Sequence, residues 1–349
     1  MSKVRVGFIG VGGMGQMAHL SNYAALADKC QVVALAEVRP GLGKLVATRY
    51  GIPQVFSDHK ELLARADVDC IVASQPYTRH ALLVPDVLER KLPVFTEKPL
   101  CLTVDAGEKL VALGEKHKVL HMVGYHKRSD PAVQYAVGVI DEWKASGEFG
   151  KMKYVRVTMP PGDWIGGADR PLDSAEPYAQ NLEWEAPPAE FDKKTADEYN
   201  GFVNYYIHQV NAIRFLLREP YKVTYADPSR VLMACQSDSG VCATLEMAPF
   251  QSSVDWQETL FVAFEKGYVK VELPAPLARQ RPGRVTVFRD NGKGAPTITE
   301  PIMPLKAAMR CQAENFLAAV RGERPAPCLA REALEDLKIA RDYIRMLKR

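Results

Sequence analysis

The sequence has almost no excess of charge of one sign. Lys and Arg together number 45 and Asp and Glu 42, which gives a formal net charge of +3 at pH 7. Proteins that bind nucleic acid or anionic membranes usually carry a strong basic excess or basic clusters. We therefore expect neither a nucleic-acid nor a membrane partner, although a few local basic groups can still hold an anionic ligand.

Long hydrophobic runs and paired cysteines are also missing. No stretch of about 18 apolar residues is present, so no membrane-spanning helix is expected. The first residues show no apolar segment ahead of a small-residue cleavage site, so no signal peptide is expected either. The seven cysteines include no Cys-x-x-Cys pair, and no histidine is spaced to join them in a zinc site. We therefore predict a cytoplasmic protein with reduced thiols and no bound metal.

What is present is the composition of an ordinary globular protein, with 47% hydrophobic and 25% charged residues over 349 positions. A chain of this length is too long for one compact core and predicts two domains. Strands and helices alternate in the first part, whereas short strands follow one another in the second. We therefore expect two domains, one over 1–123 and one over 124–349.

A glycine-rich turn follows the first predicted strand, which covers residues 4–9. Its residues are Gly10, Gly12, Gly13, Met14 and Gly15, in a Gly-x-Gly-x-x-Gly pattern that opens a predicted helix. Such glycines permit a tight turn, a close approach of the backbone to a pyrophosphate, and close packing of helix on strand. The free N–H groups and the dipole of the helix N-terminus favour the phosphates.

The second predicted strand, residues 32–36, ends in Glu37, about 22 residues after the last glycine. A carboxylate at this place accepts hydrogen bonds from the adenosine ribose hydroxyls and repels a 2′-phosphate. The sequence therefore predicts NAD as cofactor, with NADP less favoured. Arg39 argues for NADP instead, because an arginine after this strand can pair with a 2′-phosphate.

Later strands of the first half end in further polar residues. The predicted strands over 70–74 and 93–96 lead into Ser74-Gln75-Pro76 and Glu97-Lys98-Pro99. In a doubly wound parallel sheet the ligand lies at the carboxyl ends of the strands. We therefore expect residues 74–79, 96–99 and 124–128, which all follow such strand ends, to face the nicotinamide half of the cofactor.

The second half reads differently. Six short strands between residues 152 and 288 are joined by short turns, which is typical of a mostly antiparallel sheet. Helices are predicted at about 200–217, 306–321 and 330–347. Residues 160–198 are irregular and rich in proline, acids and tryptophan, and we interpret them as either a substrate lid or an oligomer arm.

These motifs together resemble the Gfo/Idh/MocA oxidoreductases. The resemblance rests on the glycine turn, on Glu97-Lys98-Pro99, on residues 124–128 and on the helix around 204–217, and it covers essentially the whole chain. It implies an N-terminal Rossmann domain with a doubly wound parallel sheet and a C-terminal α/β domain with a large, mostly antiparallel open sheet. It also implies NAD(P)-dependent oxidation or reduction of sugars, cyclitols or their derivatives, in a homodimer or homotetramer.

The resemblance assigns catalytic roles to two residues. Lys98 is expected to reach the nicotinamide and the substrate hydroxyl, often with a cis bond before the proline, and to stabilise a developing alkoxide. His208 is expected to act as general base, four residues after Asn204 and on the same helix face. The family commonly has Asp at position 204. Asn binds a hydroxyl without carrying charge, so the usual acid/base pair is incomplete.

Further residues are expected at the substrate or the cofactor. His126 lies where the family often has Asn. It would replace the acid/base capacity that Asn204 lacks, bind substrate, or only pack against neighbouring side chains. Lys127 and Arg128 would bind an anionic substrate group, belong to a solvated basic turn, or form an interdomain salt bridge with Asp130. Trp164 would stack on a sugar face or anchor an arm. His80 matches a histidine often seen beside the cofactor, with a structural role favoured over a catalytic one.

Three functions compete. The first is an NAD-dependent dehydrogenase or reductase of a sugar, glycoside or cyclitol. In the second, the enzyme retains NAD and cleaves a sugar bond through transient oxidation, which Asn204 and His126 make conceivable. The third is a non-catalytic NAD-binding sensor, and Lys98 and His208 argue against it because a sensor needs neither.

Overall fold

The computed structural model describes residues 2–247 and 250–348. The chain forms two compact units that interleave along the sequence. The first unit comprises Met1–Tyr125, Asp169–Asn200 and Gln312–Leu337, and the second comprises His126–Ala168, Gly201–Cys311 and Lys338–Arg349. The division by function at residue 123 stays a prediction. By packing, residues 169–200 and 312–337 belong with the N-terminal segment.

Among the described residues, the regular elements run as follows. The strands are β1 (Val4–Ile9), β2 (Cys30–Ala36), β3 (Gln54–Phe56), β4 (Cys70–Ala73), β5 (Val94–Glu97), β6 (His121–Gly124), β7 (Met152–Thr158), β8 (Tyr221–Ala226), β9 (Leu232–Ser237), β10 (Cys242–Glu246), β11 (Glu258–Phe264), β12 (Gly267–Leu273), β13 (Arg284–Arg289) and β14 (Thr297–Thr299). The α-helices are α1 (Ser21–Ala24), α2 (Pro40–Tyr50), α3 (His59–Arg65), α4 (His80–Glu89), α5 (Val104–His117), α6 (Pro131–Ser146), α7 (Lys193–Leu217), α8 (Ala308–Val320) and α9 (Ala330–Leu347). A π-helical turn, Gly15–Leu20, leads into α1, and short 3₁₀ turns cover Tyr77–Arg79 and His126–Ser129.

The sheet of the first unit is wholly parallel, in the order β3-β2-β1-β4-β5-β6. This is the Rossmann order, in which the strand sequence reverses direction between β1 and β4. The predicted doubly wound parallel sheet is thus confirmed. Ligands of such sheets bind outside the carboxyl ends of the strands at this reversal.

The core of the first unit explains why residues 312–337 pack with it. Phe316 and Leu317 of α8 are buried in the same cluster as Phe8 and Phe95 of the sheet. The Phe95 and Phe316 rings lie 5.8 Å apart. The backbone N–H of Val123 in β6 donates to the carbonyl of Cys328 at 3.1 Å. Apolar burial of this extent stabilises the sheet by roughly 1.5–3 kcal/mol for each large side chain.

The second unit contains the larger sheet, in the order β14-β13-β12-β11-β7-β10-β9-β8. Its pairs are antiparallel except for β7 with β10, which run parallel. The predicted mostly antiparallel sheet is therefore confirmed. Strands β8 and β14 were not predicted from the sequence. The predicted end of the strand that corresponds to β10, at Ala248, lies outside the described residues.

Helix α7 begins at Lys193, seven residues before its predicted start. The side chain of Asp192 explains the difference, because its Oδ1 accepts a hydrogen bond from the backbone N–H of Thr195 at 2.7 Å. An aspartate in the N-cap position satisfies one of the free N–H groups of the first turn. The irregular segment is correspondingly shorter than predicted.

His121 in β6 makes the stability of the first unit depend on pH. Its ring is buried, and Nε2 lies 3.0 Å from the Thr96 hydroxyl. Burial and then the charge of nearby His80 lower the pKa of His121 to about 3. The unfolded state takes up a proton below about pH 6.5 while the folded state does not, so stability is lost as pH falls from about 6.5 towards 3.

We expect His121→Asn to flatten this dependence. The free energy of unfolding of the wild type should fall by up to about 1.4 kcal/mol more per pH unit than that of the variant between about pH 6 and pH 4.5. Urea unfolding at several pH values measures both slopes, and His117→Asn at the end of α5 is the control. Parallel curves for wild type and His121→Asn would contradict the role given to burial of this ring.

Candidate functional site

The glycine turn after β1 is built for a close approach of backbone segments. Gly10 has φ +86°, a left-handed conformation that favours glycine, and a Cβ placed there would lie 3.1 Å from the backbone N of Gln75. A Cβ on Gly15 would lie 2.8 Å from the carbonyl oxygen of Gly10. Neither position accepts a side chain without movement of backbone. The turn therefore packs tightly at the reversal between β1 and β4.

Glu37 follows β2 at the same edge and is 4% exposed. Its Oε2 accepts a hydrogen bond from the backbone N–H of Val11 at 3.0 Å, which ties the acid to the glycine turn. Its Oε1 accepts from the Arg39 guanidinium at 2.7 Å. The carboxylate is thus fixed in place, and the one arginine that argued for a 2′-phosphate is paired with it.

A cavity of about 470 Å³ lies along this edge, within the first unit. It is lined by the glycine turn, by Glu37 and Arg39, and by the predicted Ser74-Gln75-Pro76 segment after β4. Its volume falls within the range of small-molecule sites, about 300–1,000 Å³. The structure thus places residues predicted for the adenosine and pyrophosphate half around one cavity with a segment predicted to face the nicotinamide half.

The side chains of Ser74 and Gln75 at this cavity are suited to form hydrogen bonds with a ligand. The Ser74 hydroxyl and both amide atoms of the Gln75 side chain are buried and have no hydrogen-bond partner within the described part of the chain. In proteins the large majority of buried side-chain polar atoms have a hydrogen-bond partner. Together with the glycine turn and Glu37, these atoms fit a dinucleotide, which would supply hydroxyl and phosphate partners.

Lys98 follows β5 at the carboxyl edge of the same sheet, and the Lys98–Pro99 peptide is cis. Its backbone N–H donates to Oε2 of the preceding Glu97 at 3.0 Å. The other Glu97 oxygen accepts from Nε2 of His19 at 2.6 Å, and both side chains are buried. The loop that carries Lys98 is therefore held by a residue of the helical turn that follows the glycine motif.

Glu97 is held in its ionised form. Burial alone would raise the pKa of its carboxyl, but the hydrogen bond and charge of His19 and the ammonium of Lys98 outweigh it, so the pKa lies below its ordinary value. Nothing local in the sequence indicates the contact between His19 and Glu97, which lie 78 positions apart. We infer that the pair positions the Lys98 backbone rather than contacting a nucleotide.

His80 lies at the start of α4 with no exposed surface. Its Nδ1 lies 3.1 Å from the carbonyl oxygen of Leu100, two residues after Lys98. Burial, the largest influence, lowers the pKa of His80 in spite of this hydrogen bond. His80 thus supports the Lys98 loop from inside. Its direct contact with the cofactor stays a prediction.

The second unit places two of the predicted substrate residues together. The rings of His126 and His208 meet edge to face, with centroids 4.6 Å apart. His208 lies on α7, one turn after Asn204, and His126 begins the 3₁₀ turn after β6. An imidazole pair can hold a proton and a neutral base side by side. This arrangement fits acid/base chemistry at His208, with His126 as its neighbour.

The basic turn after His126 is buried, so the solvated alternative is wrong. Lys127 is 5% exposed, and its Nζ lies 3.2 Å from Oε2 of Glu258, which is also buried. Arg128 donates from Nε to Oδ1 of Asn211 at 2.7 Å and stacks on Phe215. Removal of one partner from such a buried pair is costly because the other charge stays behind. The Lys127 charge is therefore matched by protein.

Trp164 is 38% exposed in the second unit, and its backbone carbonyl accepts from the N–H of Leu277 at 3.2 Å. The exposed indole is free to stack on a flat apolar ligand face, as the sequence analysis predicted for a sugar. Trp184 lies in the first unit, 49% exposed, with the Arg79 guanidinium 5.8 Å from its ring. The two tryptophans of the irregular segment thus belong to different units.

The residues that the structure describes include neither a group of metal ligands nor a membrane-spanning helix. Across residues 2–247 and 250–348, no three or more His, Cys, Asp and Glu side chains are grouped to hold a metal ion. No helix in that same part of the chain is both long and apolar enough to cross a membrane.

Comparisons with known proteins agree with this geometry. Residues 4–125 match a family model described as an oxidoreductase family with an NAD-binding Rossmann fold. The inositol 2-dehydrogenase of Rhizobium meliloti (strain 1021) is 26% identical over 356 residues, which covers 96% of both chains. The inositol 2-dehydrogenase of Rubrobacter xylanophilus is 37% identical over 139 residues, only 40% of that protein and 39% of this chain.

A solved structure supports the fold over the whole length. The scyllo-inositol dehydrogenase of Lactobacillus casei superposes with a TM-score of 0.70 at 17% identity, covering 99% of this chain and 96% of that one. At this identity the likeness concerns the fold alone. The family model covers residues 4–125, and the Rhizobium relative extends the similarity across the second unit. The chain is thus similar to this oxidoreductase family over residues 4–125, and to an inositol 2-dehydrogenase at 26% identity over nearly its whole length.

Proposed function

We propose that this protein is an NAD-dependent oxidoreductase that interconverts a hydroxyl and a ketone on a sugar, glycoside or cyclitol. The carrying observation is the carboxyl edge of the first sheet, where the glycine turn, Glu37 and the unpartnered Ser74 and Gln75 atoms line one cavity. When bound, NAD supplies hydride exchange at its nicotinamide ring. A homo-oligomer and a cytoplasmic location stay predictions.

The glycine turn and Glu37 would hold the adenosine and pyrophosphate half. Backbone N–H groups at the start of the helical turn Gly15–Leu20 would donate to phosphate oxygens. Glu37 would accept from the ribose hydroxyls with the lone pairs that Val11 and Arg39 leave. Ser74 and Gln75 would bond the nucleotide further along the edge.

Lys98 would bind the substrate oxygen. Its ammonium would donate to the reacting hydroxyl or carbonyl and stabilise the negative charge that develops there. The His19–Glu97 pair would keep the backbone of this loop in one position, so that the ammonium stays aimed at the reacting oxygen. This electrostatic role needs the charge of Lys98 more than its exact length.

His208 would take the hydroxyl proton as the substrate carbon is oxidised. A neutral imidazole suits this task at neutral pH. Asn204, one helical turn earlier, would bind a neighbouring substrate hydroxyl without adding charge. His126 packs against His208 and would keep its ring in one orientation.

The substrate class is inferred from the inositol dehydrogenases among the relatives and from Trp164. An exposed indole stacks well on the apolar face of a sugar or cyclitol ring. The buried Lys127–Glu258 pair offers no unmatched charge, so a neutral polyol is favoured over a phosphorylated or carboxylated substrate.

The test is a panel of inositols, neutral sugars, glycosides, sugar phosphates and uronic acids, each with NAD and then with NADP. Nicotinamide absorbance follows hydride transfer. We expect a rate with a neutral cyclitol or sugar and NAD. Product formation without a net change in absorbance would favour the NAD-retaining alternative, and no product from any compound would contradict catalysis and favour the sensor.

Glu37 should set the nucleotide preference. Glu37→Ser removes the acceptor of the ribose hydroxyls and the charge that repels a 2′-phosphate, and it frees Arg39. A charge-assisted hydrogen bond contributes about 1.5–3 kcal/mol, so the ratio of NADPH to NADH dissociation constants should fall by roughly 10- to 100-fold. Fluorescence titration measures both constants.

Glu37→Gln is the matched control for this prediction. Its amide oxygen can still accept from Val11 N–H, but the charge is lost. It should therefore lie between wild type and Glu37→Ser. An unchanged preference in both variants would remove Glu37 from the account of nucleotide choice.

A further inference from the structure

One irregular segment of the first unit follows the outer side of the nucleotide cavity. It comprises residues 172–185, here called the strap, and it contains no helix or strand. It lies within residues 160–198, for which the sequence predicts either a substrate lid or an oligomer arm. Four of its residues line the cavity, Tyr178, Asn181, Leu182 and Glu183. The strap therefore lies at the nucleotide side of the molecule's first unit.

The strap begins at a reciprocal amide contact with the helical turn after the glycine motif. The Gln16 side chain donates from Nε2 to the carbonyl of Leu172 at 3.0 Å and accepts at Oε1 from the Leu172 N–H at 2.8 Å. Gln16 is 3% exposed, and its Nε2 also donates to the carbonyl of Val11. The start of the strap is thus fixed to the turn that would hold the pyrophosphate.

A second anchor fastens the strap beside Glu37. The Glu176 carboxylate accepts hydrogen bonds from the backbone N–H groups of Gly41 at 3.1 Å and Leu42 at 3.0 Å, in the first turn of α2. The N-cap residue of α2, Arg39, makes no side-chain cap of its own. Glu176 therefore takes the place of the missing cap from 135 residues away, where a carboxylate also suits the helix dipole.

The far end of the strap is anchored on the opposite side of the sheet edge. The Glu185 carboxylate accepts from the N–H groups of Leu102 at 2.9 Å and Thr103 at 2.8 Å, and from the Thr103 hydroxyl at 2.7 Å. The Glu185 N–H donates to the carbonyl of Thr78 at 2.8 Å. Arg79 donates from Nε to the carbonyl of Glu183. The strap therefore spans the cavity from α2 to α5.

Tyr178 stands over the cavity between these anchors. The Arg39 guanidinium lies 4.5 Å from its ring centre, and Arg39 is in turn paired with Glu37. A Cβ on Gly12 would lie 3.8 Å from the Tyr178 hydroxyl. The tyrosine therefore reaches from the ribose-binding acid to the glycine turn, and its ring remains 45% exposed. An aromatic ring with a hydroxyl tip suits contact with a nucleoside and a phosphate.

We propose that the strap is part of the nucleotide site: Tyr178 and Asn181 form the outer wall of its adenosine half, and the anchors at Leu172, Glu176 and Glu185 retain the nucleotide until the strap undocks. The inference rests on the proposed dinucleotide site and adds the residues that control nucleotide release. Exit from the adenosine side then requires the loss of charge-assisted hydrogen bonds at Glu176. Exchange with free nucleotide is correspondingly slow.

The dissociation rate of NADH tests this inference. Protein loaded with NADH is mixed with an excess of NAD, and nicotinamide fluorescence reports release. Glu176→Ala removes the two charge-assisted contacts with the first turn of α2, so release should accelerate by about tenfold or more. Tyr178→Ala should accelerate release similarly, whereas Tyr178→Phe, which keeps the ring, should change it less. Glu108→Ala on the exposed face of α5 is the matched control and should release NADH at the wild-type rate.

Hydrogen exchange on the unaltered protein gives a second readout that needs no variant. NADH should increase the protection of peptides within 172–185 and leave peptides of α9 unchanged. Wild-type release rates in Glu176→Ala and Tyr178→Ala, or unchanged exchange of the strap, would overturn the inference. Wild-type protein that fails to bind NADH at all would instead overturn the proposed function, so the two failures are distinguishable.

Discussion

Replacing Lys98 by Met should lower kcat by about 10²- to 10⁴-fold, the usual effect of removing a group that stabilises charge or transfers a proton in the transition state. The substrate is the panel compound with the highest rate. Binding of NADH should change by no more than a few-fold, because the adenosine half is held at Glu37 and the glycine turn. Steady-state kinetics and fluorescence titration measure the two effects separately.

Two further variants make this result specific to the charge at position 98. Lys98→Arg keeps a cation in the same loop and should recover part of the lost rate. Lys109→Met removes an exposed lysine from α5 and should leave kcat unchanged. If Lys98→Met turned over as fast as wild type, Lys98 would have no part in catalysis and the sensor hypothesis would gain support.

Replacing His208 by Gln should have the second large effect, a loss of about 10²- to 10⁴-fold in kcat for alcohol oxidation, because no other base is assigned to the hydroxyl proton. The side chain remains polar and of similar length, so α7 should stay folded. The dependence of kcat on pH should also become flatter in the variant. Rates measured from mildly acidic to mildly alkaline pH test both statements.

His126→Gln is the comparison that separates the two stacked imidazoles. Both rings lie in the second unit with their centroids 4.6 Å apart. If His126 only orients His208, its loss should reduce kcat by less than about tenfold and leave the pH dependence in place. A larger effect in His126→Gln than in His208→Gln would mean that the base has been assigned to the wrong histidine.

The nucleotide side of the fold was predictable because its signals are local. The glycine turn, the strand before it and Glu37 lie within a span of about 35 residues, and each has a fixed role in a strand-turn-helix-strand unit. The N-cap of α5 is a local signal of the same kind, since the hydroxyl of Thr103 accepts from the N–H of Ala106 at 3.2 Å. Short-range chemistry of this kind is written directly in the order of residues.

Long-range partners account for much of what was missed. Helix α2 lacks a side-chain cap at its own N-terminus, and its cap, Glu176, lies in a segment without periodicity. The expectation of a solvated basic turn at Lys127 was wrong because its partner Glu258 begins β11, far away along the sequence. The N-cap of α3 was also missed, although it is local: the Asp58 carboxylate accepts from the N–H of Glu61 at 2.8 Å. The first two contacts depend on tertiary structure, whereas the third was available in the sequence.

The central claim is that the carboxyl edge of the first sheet holds a nicotinamide dinucleotide, and nucleotide binding tests it most directly. Purified protein would be treated with mild acid and the released nucleotide identified by ultraviolet spectrum and mass spectrometry, and protein freed of nucleotide would be titrated with NADH and NADPH. We predict NAD in the released fraction or saturable binding of NADH, with weaker binding of NADPH because of Glu37. Binding of neither nucleotide would contradict the account.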